Sequence, residues 1–250
     1  MTANSTPDFL FRCPDLKELY SQKYDEKMIQ WRALCAIEKA SNVESMVSNM
    51  RGSIEHVLDV GCGTGAVLEQ LAAKKVGTSF TGIEIGTERS QRQGSNDIQI
   101  RGYDGKKIPY DDKSFDLVYA THVLEHVTDE RGFLSELRRV SRRYIYVEVP
   151  CELHLRSSRR TLQQGLDIGH INFYTPGSFA LQLETSGLIV KDFKVFDHSY
   201  AIHRFSSPAW RALLKFAARR GLLSFSKSMA CRMITYHCGA LCEPGPLLII

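Results

Sequence analysis

Residues 57–65 read Val-Leu-Asp-Val-Gly-Cys-Gly-Thr-Gly, and this stretch decides the fold. An apolar strand leads into three glycines at alternating positions, and a helical pattern of apolar residues begins at Ala66. Glycine lets a backbone turn sharply and lie against a ligand where a Cβ atom would clash. The turn would bring a ligand to a helix N-terminus at the carboxyl end of a parallel strand, which is the usual binding crevice of an open α/β sheet.

The spacing of the glycines distinguishes between classes of nucleotide cofactor. In the dinucleotide fingerprint G-x-G-x-x-G the third glycine follows the second by three positions, whereas here Gly65 follows Gly63 by two. The next predicted strand, residues 79–84, ends in Glu84, about 20 residues past the loop, where a carboxylate can bind the ribose hydroxyls of a nucleoside. The sequence therefore predicts a nucleoside cofactor bound between the glycine loop and Glu84.

Strand, glycine loop, helix and acid in this register resemble the class I S-adenosylmethionine-dependent methyltransferases. The resemblance runs from roughly Glu55 to Pro150 and is closest to the subgroup that methylates small molecules such as quinone precursors, sugars and glycolipids. It implies S-adenosylmethionine as the cofactor. It also implies a Rossmann-like α/β fold, a doubly wound and mostly parallel sheet of seven strands, with an N-terminal helical lid.

The resemblance also implies which residues contact the cofactor. In that family an acid at the position of Asp104, after the third strand, meets the adenine amino group; the alternative is that Asp104 caps its own loop. Thr121 and His122 follow the fourth strand at the methyl end of the cofactor. The predicted cofactor-binding residues are Asp59, Gly61, Cys62, Gly63, Gly65, Glu84, Ile85, Asp104, Gly105, Thr121 and His122.

The apolar periodicity of residues 14–50 predicts a helical segment, and we predict that residues 1–52 form an N-terminal helical cap. Helices of this kind lid the cofactor and shape the acceptor pocket in the resembling enzymes; the alternative is a helix that only packs outside the sheet. Tyr20 and Tyr24 are candidate acceptor contacts. Residues 53–250 would form the S-adenosylmethionine-binding domain, with acceptor-side insertions at 151–175 and 197–243.

The order of apolar runs predicts a parallel sheet with right-handed crossovers. Residues 151–175 show no clear periodicity, and a final strand is predicted in the apolar tail, 244–250. The predicted strands are 56–60, 79–84, 97–101, 115–120, 144–149 and 188–196, and the predicted helices are 65–75, 87–93, 130–141, 175–183 and 208–220.

Composition excludes several classes of protein. No apolar run approaches the roughly 18 residues of a membrane span, and a net charge of +4 is too mild to indicate a nucleic-acid partner. The polar N-terminus does not resemble a secretory signal. Seven cysteines without a paired C-x-x-C spacing indicate reduced thiols. We predict a cytoplasmic protein with a small-molecule partner and no nucleic acid; the oligomeric state stays open.

The segment His122-Val-Leu-Glu125-His126 matches H-x-x-E-H, an inverted zinc-protease pattern. A protease would need this motif on a long helix of a different fold. In resembling quinone-precursor O-methyltransferases this position carries acid-x-x-acid-His, proposed to hold a divalent cation, and His122 replaces the first acid. Histidine disfavours magnesium. We therefore predict no metal, with His122, Glu125 and His126 as the candidates for one; the preferred role of Glu125 and His126 is to buttress the cofactor loop.

Methyl transfer to a hydroxyl requires a base, and histidine suits this role near neutral pH. His122 follows the fourth strand, and His170 lies in the segment after the fifth, so both are predicted catalytic candidates. The alternative for each is a histidine without a catalytic role. The segment 169–176 around His170, Gly-His-Ile-Asn-Phe-Tyr-Thr-Pro, also recurs in the resembling subgroup.

Basic residues after the fifth strand predict that the acceptor is anionic. His154 and Arg156, with Arg159, Arg160 and His170, would lie on the ligand side of the sheet. The alternative is an exposed basic loop. Residues 208–220 mix basic and apolar side chains; they could contact an anionic membrane surface, but we favour a helix packed on the core.

The leading function is therefore methylation of a small molecule, most readily at a hydroxyl oxygen of a sugar, lipid-linked or quinone-type acceptor; the alternative acceptor atoms are nitrogen and carbon. One alternative is a nucleic-acid methyltransferase, although no Asn/Asp-Pro-Pro-Tyr/Phe segment follows the fourth strand. The other alternative is a protein that binds S-adenosylmethionine without catalysis.

Overall fold

The computed structural model describes residues 10–13, 26–85 and 98–246. Its described strands form one sheet of seven, in the order β3-β2-β1-β4-β5-β7-β6. The strands are β1 (His56–Val60), β2 (Ser79–Ile85), β3 (Ile98–Tyr103), β4 (Phe115–Thr121), β5 (Ser141–Cys151), β6 (Leu188–Phe196) and β7 (Tyr236–Pro244).

The strands from β3 to β5 run parallel to one another, and β7 runs antiparallel to both of its neighbours, β5 and β6. This arrangement confirms the predicted seven-stranded, mostly parallel sheet. It also brings the start of β7 to the same edge of the sheet as the carboxyl ends of the parallel strands, since Tyr236 pairs with Cys151.

Helices cover both faces of the sheet. They are α1 (Glu26–Val47), α2 (Ala66–Ala73), α3 (Glu130–Val140), α4 (Arg159–Leu166), α5 (Pro176–Glu184), α6 (Tyr200–Phe205), α7 (Ala209–Phe225) and α8 (Lys227–Met233), with 3-10 turns at Ser48–Ser53 and Leu124–His126. None of the helices in the described ranges has the length and apolar character that crossing a membrane requires.

Two large apolar clusters form most of the core, one on each side of the sheet, and a small third cluster contains Ala230, Cys231 and Tyr236. On one side, Val43 and Val47 of α1 pack with Leu68 and Leu71 of α2 and with Tyr146 of β5. On the other side, side chains of α3 and α5 pack against alternate residues of β4, β5 and β7. The described part of the predicted N-terminal cap is thus one helix, α1, which buries one side against α2 and the sheet.

The prediction of an irregular segment at 151–175 was wrong, because this segment contains α4. Ser158 begins the helix with a capping box: Thr161 N donates to Ser158 Oγ across 3.3 Å, and Ser158 N donates to Thr161 Oγ1 across 2.8 Å. Such a reciprocal pair stabilises a helix start that apolar periodicity does not reveal, since α4 buries only Gly165.

The predicted position of the final strand was also wrong. The strand is Tyr236–Pro244, inserted between β5 and β6, and it ends where the predicted strand would begin. Cys238, Ala240 and Cys242 alternate into the core, a pattern that small and sulfur-containing residues obscure in the sequence. Residues 247–250, the predicted helix 87–93, and Tyr20 and Tyr24 lie outside the described residues.

Helix α7 packs on the core at its C-terminal end, where Leu222 and Leu223 contact a small cluster with Tyr236, but the predicted part, 208–220, is mostly exposed. It buries Ala212, whereas Trp210, Leu213 and Leu214 are each about 60% exposed. The basic and apolar side chains of this helix therefore share an exposed surface, and the helix is anchored where Arg219 donates to Asp197 and to the carbonyl of Thr235.

Candidate active site

The glycine loop after β1 has the backbone that its sequence predicts. Gly61, Gly63 and Gly65 all have positive φ values, between 55° and 84°. A Cβ at Gly61 would clash with Val123 and one at Gly65 with Ile100, but the space beside Gly63 is open within 4 Å. Two glycines therefore allow close packing of the loop, and Gly63 leaves its outer side accessible to a ligand.

Glu84 lies directly beside this loop. Gly63 N donates to Glu84 Oε2 across 2.5 Å, and Ile85 N donates to Glu84 Oε1 across 3.0 Å. The loop and the acid, which are 21 residues apart in sequence, thus form one site at the carboxyl edge of the sheet. The residues fit a nucleoside with a diol, because the carboxylate lies beside an open glycine turn at a helix start.

Asp59 and Cys62 lie beneath the loop and are buried. Tyr119 donates its hydroxyl to Asp59 Oδ2 across 2.8 Å. Burial raises the pKa of Asp59 to about 7, with a further contribution from the charge on Glu84, against the opposing hydrogen bond from Tyr119. Burial also raises the pKa of the Cys62 thiol, so this cysteine is an unreactive packing residue.

Asp104 and Gly105 follow β3 beside Ile85, since a Cβ on Gly105 would lie 3.0 Å from Ile85 Cδ1. Asp104 Oδ1 accepts from the backbone amides of Lys106 and Lys107, at 2.8 and 3.1 Å. These bonds hold the pKa of the exposed Asp104 carboxyl below its usual value. Asp104 thus caps its own loop here, and the loop lies next to the end of β2.

β4 ends at Thr121, and His122 then adopts a left-handed backbone with φ of 58°. This conformation is uncommon outside glycine and costs roughly 1–2 kcal/mol for an L-residue. His122 N donates to the carbonyl of Glu148 on β5 across 2.8 Å, which holds the turn. Such strain concentrates at functional sites, and here it turns the imidazole back over the ends of β4 and β5.

His122 belongs to a line of three histidines. His122 Nε2 lies 3.3 Å from Glu148 Oε1 and 3.1 Å from His237 Nδ1. His237 Nε2 lies 3.1 Å from His198 Nε2, and His198 Nδ1 donates to Glu38 of α1 across 2.8 Å. The line therefore runs from the end of β4, across the start of β7, to α1.

The surroundings shift the pKa values of His122 and His237 in opposite directions. Burial and the charge of Lys39 act to lower the pKa of His122, but the contacts with Glu125 and Glu148 outweigh them and raise it. Burial lowers the pKa of His237 well below its ordinary value, and charge on His122 and His198 adds to this effect.

A second group contains Glu125, His126 and His170. His170 Nδ1 donates to Glu152 Oε2 across 2.7 Å, and His126 Nδ1 donates to the carbonyl of Gly169 across 2.8 Å. Glu125 is fully buried. Burial acts to raise the pKa of Glu125, but the contact with His122 and the charges of His126 and His170 lower it to about 2.

The structure divides the H-x-x-E-H motif between the two groups. The motif does not lie on a long helix, as the protease pattern would require: only Leu124–His126 is helical, a single 3-10 turn, and His122 precedes it with a left-handed backbone. One possible set of metal ligands is therefore His122, Glu148 and His237, and the other is Glu125, His126 and His170.

The predicted acceptor contacts lie on the loop and helix after β5. His154 is held in a turn: its Nε2 lies 3.2 Å from Thr235 Oγ1, and its Nδ1 accepts from Arg156 N. Burial, with the charge of Arg156, lowers the pKa of His154. Arg159 and Arg160, with Arg12, line an open cavity of about 650 Å³, and the Arg159 guanidinium donates to the carbonyl of Leu10.

Sequence reasoning missed Glu38, Glu148, Glu152, His198 and His237. Glu148 had a detectable signal, because it is a lone acid within the otherwise apolar and aromatic run of β5. His237 stands likewise in a strand of small apolar residues. Buried polar residues in apolar strands indicate a site more reliably than exposed ones do.

Comparison with known proteins places this chain in a family. The family described as "Methyltransferase domain" matches residues 20–191. O-methyltransferase cnsE of Penicillium expansum is 35% identical over 95 residues, which are 35% of this chain and 34% of that protein. The chloroplastic tocopherol O-methyltransferase of Arabidopsis thaliana is 28% identical over 197 residues, 70% of this chain and 54% of that protein. The chain thus spans about a third and about half of these relatives.

A solved structure shares the fold at low sequence identity. Geranyl diphosphate C-methyltransferase from Streptomyces coelicolor, in complex with Mg²⁺, geranyl-S-thiolodiphosphate and S-adenosyl-L-homocysteine, has a TM-score of 0.59 and 12% identity over 82% of this chain and 76% of that chain. The chain belongs to the class I, S-adenosylmethionine-dependent methyltransferase family. The predicted family and fold are therefore confirmed, and S-adenosylmethionine is the cofactor of this family.

Proposed function

We propose that the chain transfers a methyl group from S-adenosylmethionine to a hydroxyl oxygen of a small molecule, with His170 as the base. When bound, the cofactor supplies an electrophilic methyl carbon; the acceptor oxygen bonds to it as the carbon–sulfur bond breaks, and S-adenosylhomocysteine leaves. The chain's own residues then have three tasks: to hold the nucleoside, to position the acceptor and to take its proton.

The glycine loop and Glu84 support the first task. Gly63 presents an open turn, and Glu84 already lies within hydrogen-bond distance of its amide. A ligand diol would bind the same carboxylate, which is fixed at the end of β2. This pair would orient the ribose so that the methyl end points toward the ends of β4 and β5.

The observation that carries the choice of base is the contact between His170 and Glu152. Because Nδ1 of His170 donates to Glu152 across 2.7 Å, the other ring nitrogen, Nε2, has the lone pair in the neutral imidazole. A carboxylate that fixes the tautomer in this way also stabilises the imidazolium formed after proton transfer. His170 Nε2 would therefore accept the hydroxyl proton, and Glu152 is a positioning residue.

The segment around His170 is held against the turn after β4. Ile171 N and Asn172 N donate to the carbonyl of Glu125, and Asn172 Nδ2 donates to the carbonyls of Leu124 and Val127. These hydrogen bonds keep His170 beside the turn that follows β4. The relatives named as O-methyltransferases support oxygen as the acceptor atom, and Arg156, Arg159 and Arg160 support an anionic acceptor such as a sugar acid, a lipid-linked headgroup or a quinone-type carboxylate.

A methyl-transfer assay with labelled S-adenosylmethionine and a panel of hydroxylated carboxylates and phenols tests this proposal. We expect His170→Gln to lower kcat by about 100-fold or more while leaving S-adenosylhomocysteine affinity unchanged. Glu152→Gln should lower kcat less and shift its pH profile, because it acts through His170. Wild-type kcat in His170→Gln would overturn the assignment of the base, and no transfer to any hydroxyl by a protein that binds the cofactor would overturn the acceptor class.

A further inference from the structure

We propose that His122, Glu148 and His237 form a binding site for a divalent metal ion, and that the preferred ion is zinc(II). We call these three residues the β4–β7 triad. They come from the turn after β4, the end of β5 and the start of β7, and no local motif contains more than one of them. The site lies at the carboxyl edge of the sheet, on the side covered by α1.

Two of the three separations between the ligand atoms are close to those of a tetrahedral metal, and the third is at most 4.8 Å. His122 Nε2 lies 3.3 Å from Glu148 Oε1 and 3.1 Å from His237 Nδ1, and the three side chains each offer one ligand atom within 4.8 Å of the other two. Zinc bonds of about 2.0–2.1 Å to nitrogen and oxygen place tetrahedral ligands about 3.3–3.4 Å apart. A metal could therefore bind with small side-chain adjustments.

Each member of the triad is also oriented by a second residue through the part of its side chain that faces away from the site. His122 Nδ1 lies 3.4 Å from Glu125 Oε1, and His237 Nε2 lies 3.1 Å from His198 Nε2. Glu148 Oε2 accepts from Tyr146 and from Asn42, and Asn42 Nδ2 also lies 3.3 Å from Oε1. Metal ligands in proteins are held in this way by outer partners that fix the tautomer and the ring orientation.

Hydrogen bonding alone satisfies these atoms poorly. His122 Nε2 has one proton at most, and both Glu148 Oε1 and His237 Nδ1 face it. When His237 carries its proton on Nε2, the His122 proton is shared between two acceptors, each at more than 3 Å; the other donor to Glu148 Oε1 is Asn42 Nδ2, at 3.3 Å. A dication would bind all three lone pairs at once, since it needs neutral imidazoles and an ionised carboxylate.

The surrounding charge also favours the binding of a cation. Glu148 is 1% exposed and Glu125 is fully buried. Among the described residues, neither oxygen of Glu125 has a hydrogen-bond partner of good geometry. The contact of Glu125 Oε1 with His122 Nδ1 is long, at 3.4 Å, and a buried carboxylate held so weakly is costly. Lys39 supplies one positive charge near His122 and His237, and a dication in the triad would balance the remaining carboxylates of Glu38, Glu125 and Glu148.

The donor set favours zinc over magnesium. Two imidazoles and one carboxylate are typical of catalytic zinc, which keeps its fourth position open, whereas magnesium prefers an oxygen-rich octahedral site. His122 is 18% exposed, so the site is accessible. The use of this metal in catalysis rests on the proposed function: the open position would bind the acceptor oxygen and ease loss of its proton. Metal binding itself does not depend on that function.

Metal content and cobalt spectroscopy test the proposal. The full chain is stripped with chelator and titrated with Zn²⁺, and the bound metal is measured by mass spectrometry. We expect one zinc per chain, and a loss of at least about 100-fold in affinity in both His237→Gln and Glu148→Gln. His126→Gln, in the neighbouring group, is the matched control and should retain zinc. Binding of S-adenosylhomocysteine reports folding and cofactor binding in every variant, so His237→Gln decides the matter if Glu148→Gln does not fold.

The outcomes are distinct. Cobalt(II) should give a tetrahedral d–d spectrum without a thiolate charge-transfer band; such a band would assign the metal to the contacting thiols of Cys151, Cys231 and Cys238 and overturn the proposal. So would the absence of stoichiometric zinc, or its loss in His126→Gln but not in His237→Gln. None of these results bears on cofactor binding, which is measured separately.

Discussion

The backbone amide of Gly63 donates to the carboxylate of Glu84 across 2.5 Å, and this bond joins the loop after β1 to the end of β2. β1 and β2 are adjacent parallel strands, with Val60 paired to Ile83, so their ends meet at one edge of the sheet. We propose that this pair of backbone amide and acid binds the nucleoside of the cofactor. Its strength as a ligand site can be tested apart from the chemistry of methyl transfer.

We expect Glu84→Ala to weaken S-adenosylhomocysteine binding by about 10- to 100-fold, because hydrogen bonds to a charged group contribute roughly 1.5–3 kcal/mol. Gly63→Arg should abolish binding, since its side chain would occupy the open side of the loop. Isothermal titration calorimetry measures both effects. Gly52→Ala is the control, because a Cβ there meets nothing within 4 Å. Full affinity in Glu84→Ala would move the ribose contact elsewhere.

Asp59 predicts an unusual pH dependence of stability. Burial raises its pKa in the folded state to about 7, whereas the unfolded carboxyl titrates near 3.8. Between these values the folded state binds more protons, so the stability decreases as pH rises from about 4 to 7, by at most roughly 4 kcal/mol.

Asp59→Asn removes this titration. The variant should therefore gain in free energy of unfolding relative to wild type between pH 4 and pH 8, as measured by urea unfolding of the apo protein at both values. Tyr119→Phe is the control for the loss of the hydrogen bond alone. If the difference in free energy of unfolding between wild type and variant does not change with pH, the pKa of Asp59 is not raised in the folded state.

From Asp116 we expect the opposite dependence of stability on pH. It is buried and accepts from the amides of Glu55 and His56 and from Arg142. Burial acts to raise its pKa, but these three hydrogen bonds outweigh it and lower the pKa. Its contribution to stability is therefore present above the unfolded value, near 3.8, and is lost as pH falls through the lower folded value.

We expect Asp116→Asn to lower the free energy of unfolding by about 1–3 kcal/mol at pH 7, and the difference from wild type to shrink below about pH 4. Chemical unfolding across this pH range measures it. Asp112→Asn is a matched control, because the Asp112 side chain is 75% exposed beside Arg139 and its removal should cost little. Equal losses in both variants would contradict the structural role given to Asp116.

The basic residues after β5 lead us to expect a negatively charged acceptor. Reversal of Arg156, Arg159 and Arg160 to Glu should raise the KM for an anionic acceptor by at least about 10-fold and leave S-adenosylhomocysteine affinity intact, because attraction of the anion becomes repulsion. Steady-state kinetics measure this. Reversal of Arg211, Lys215 and Arg220 on α7 changes net charge equally and serves as the control. If both triple variants have the same KM, Arg156, Arg159 and Arg160 do not contribute to acceptor recognition.

Local sequence predicted the secondary structure around the glycine loop. The glycine loop, the strand before it and Glu84 were all identified, because a tight turn between a strand and a helix is specified by neighbouring residues. The strands from β1 to β6 were also predicted within a few residues. By contrast, α4 was missed because a capping box, not apolar periodicity, specifies it, and β7 was misplaced because its buried residues are small.

The acceptor side was not predictable in the same way. His122 was identified as a candidate, but its contact with His237 joins residues 115 positions apart. This contact exists only because β7 inserts antiparallel between β5 and β6 and so starts at the edge where β4 ends. Sequence by itself thus determined the class of fold and the cofactor loop, which depend on local order. Only the tertiary structure decided which histidines and carboxylates meet, because strand pairing between distant segments brings them together.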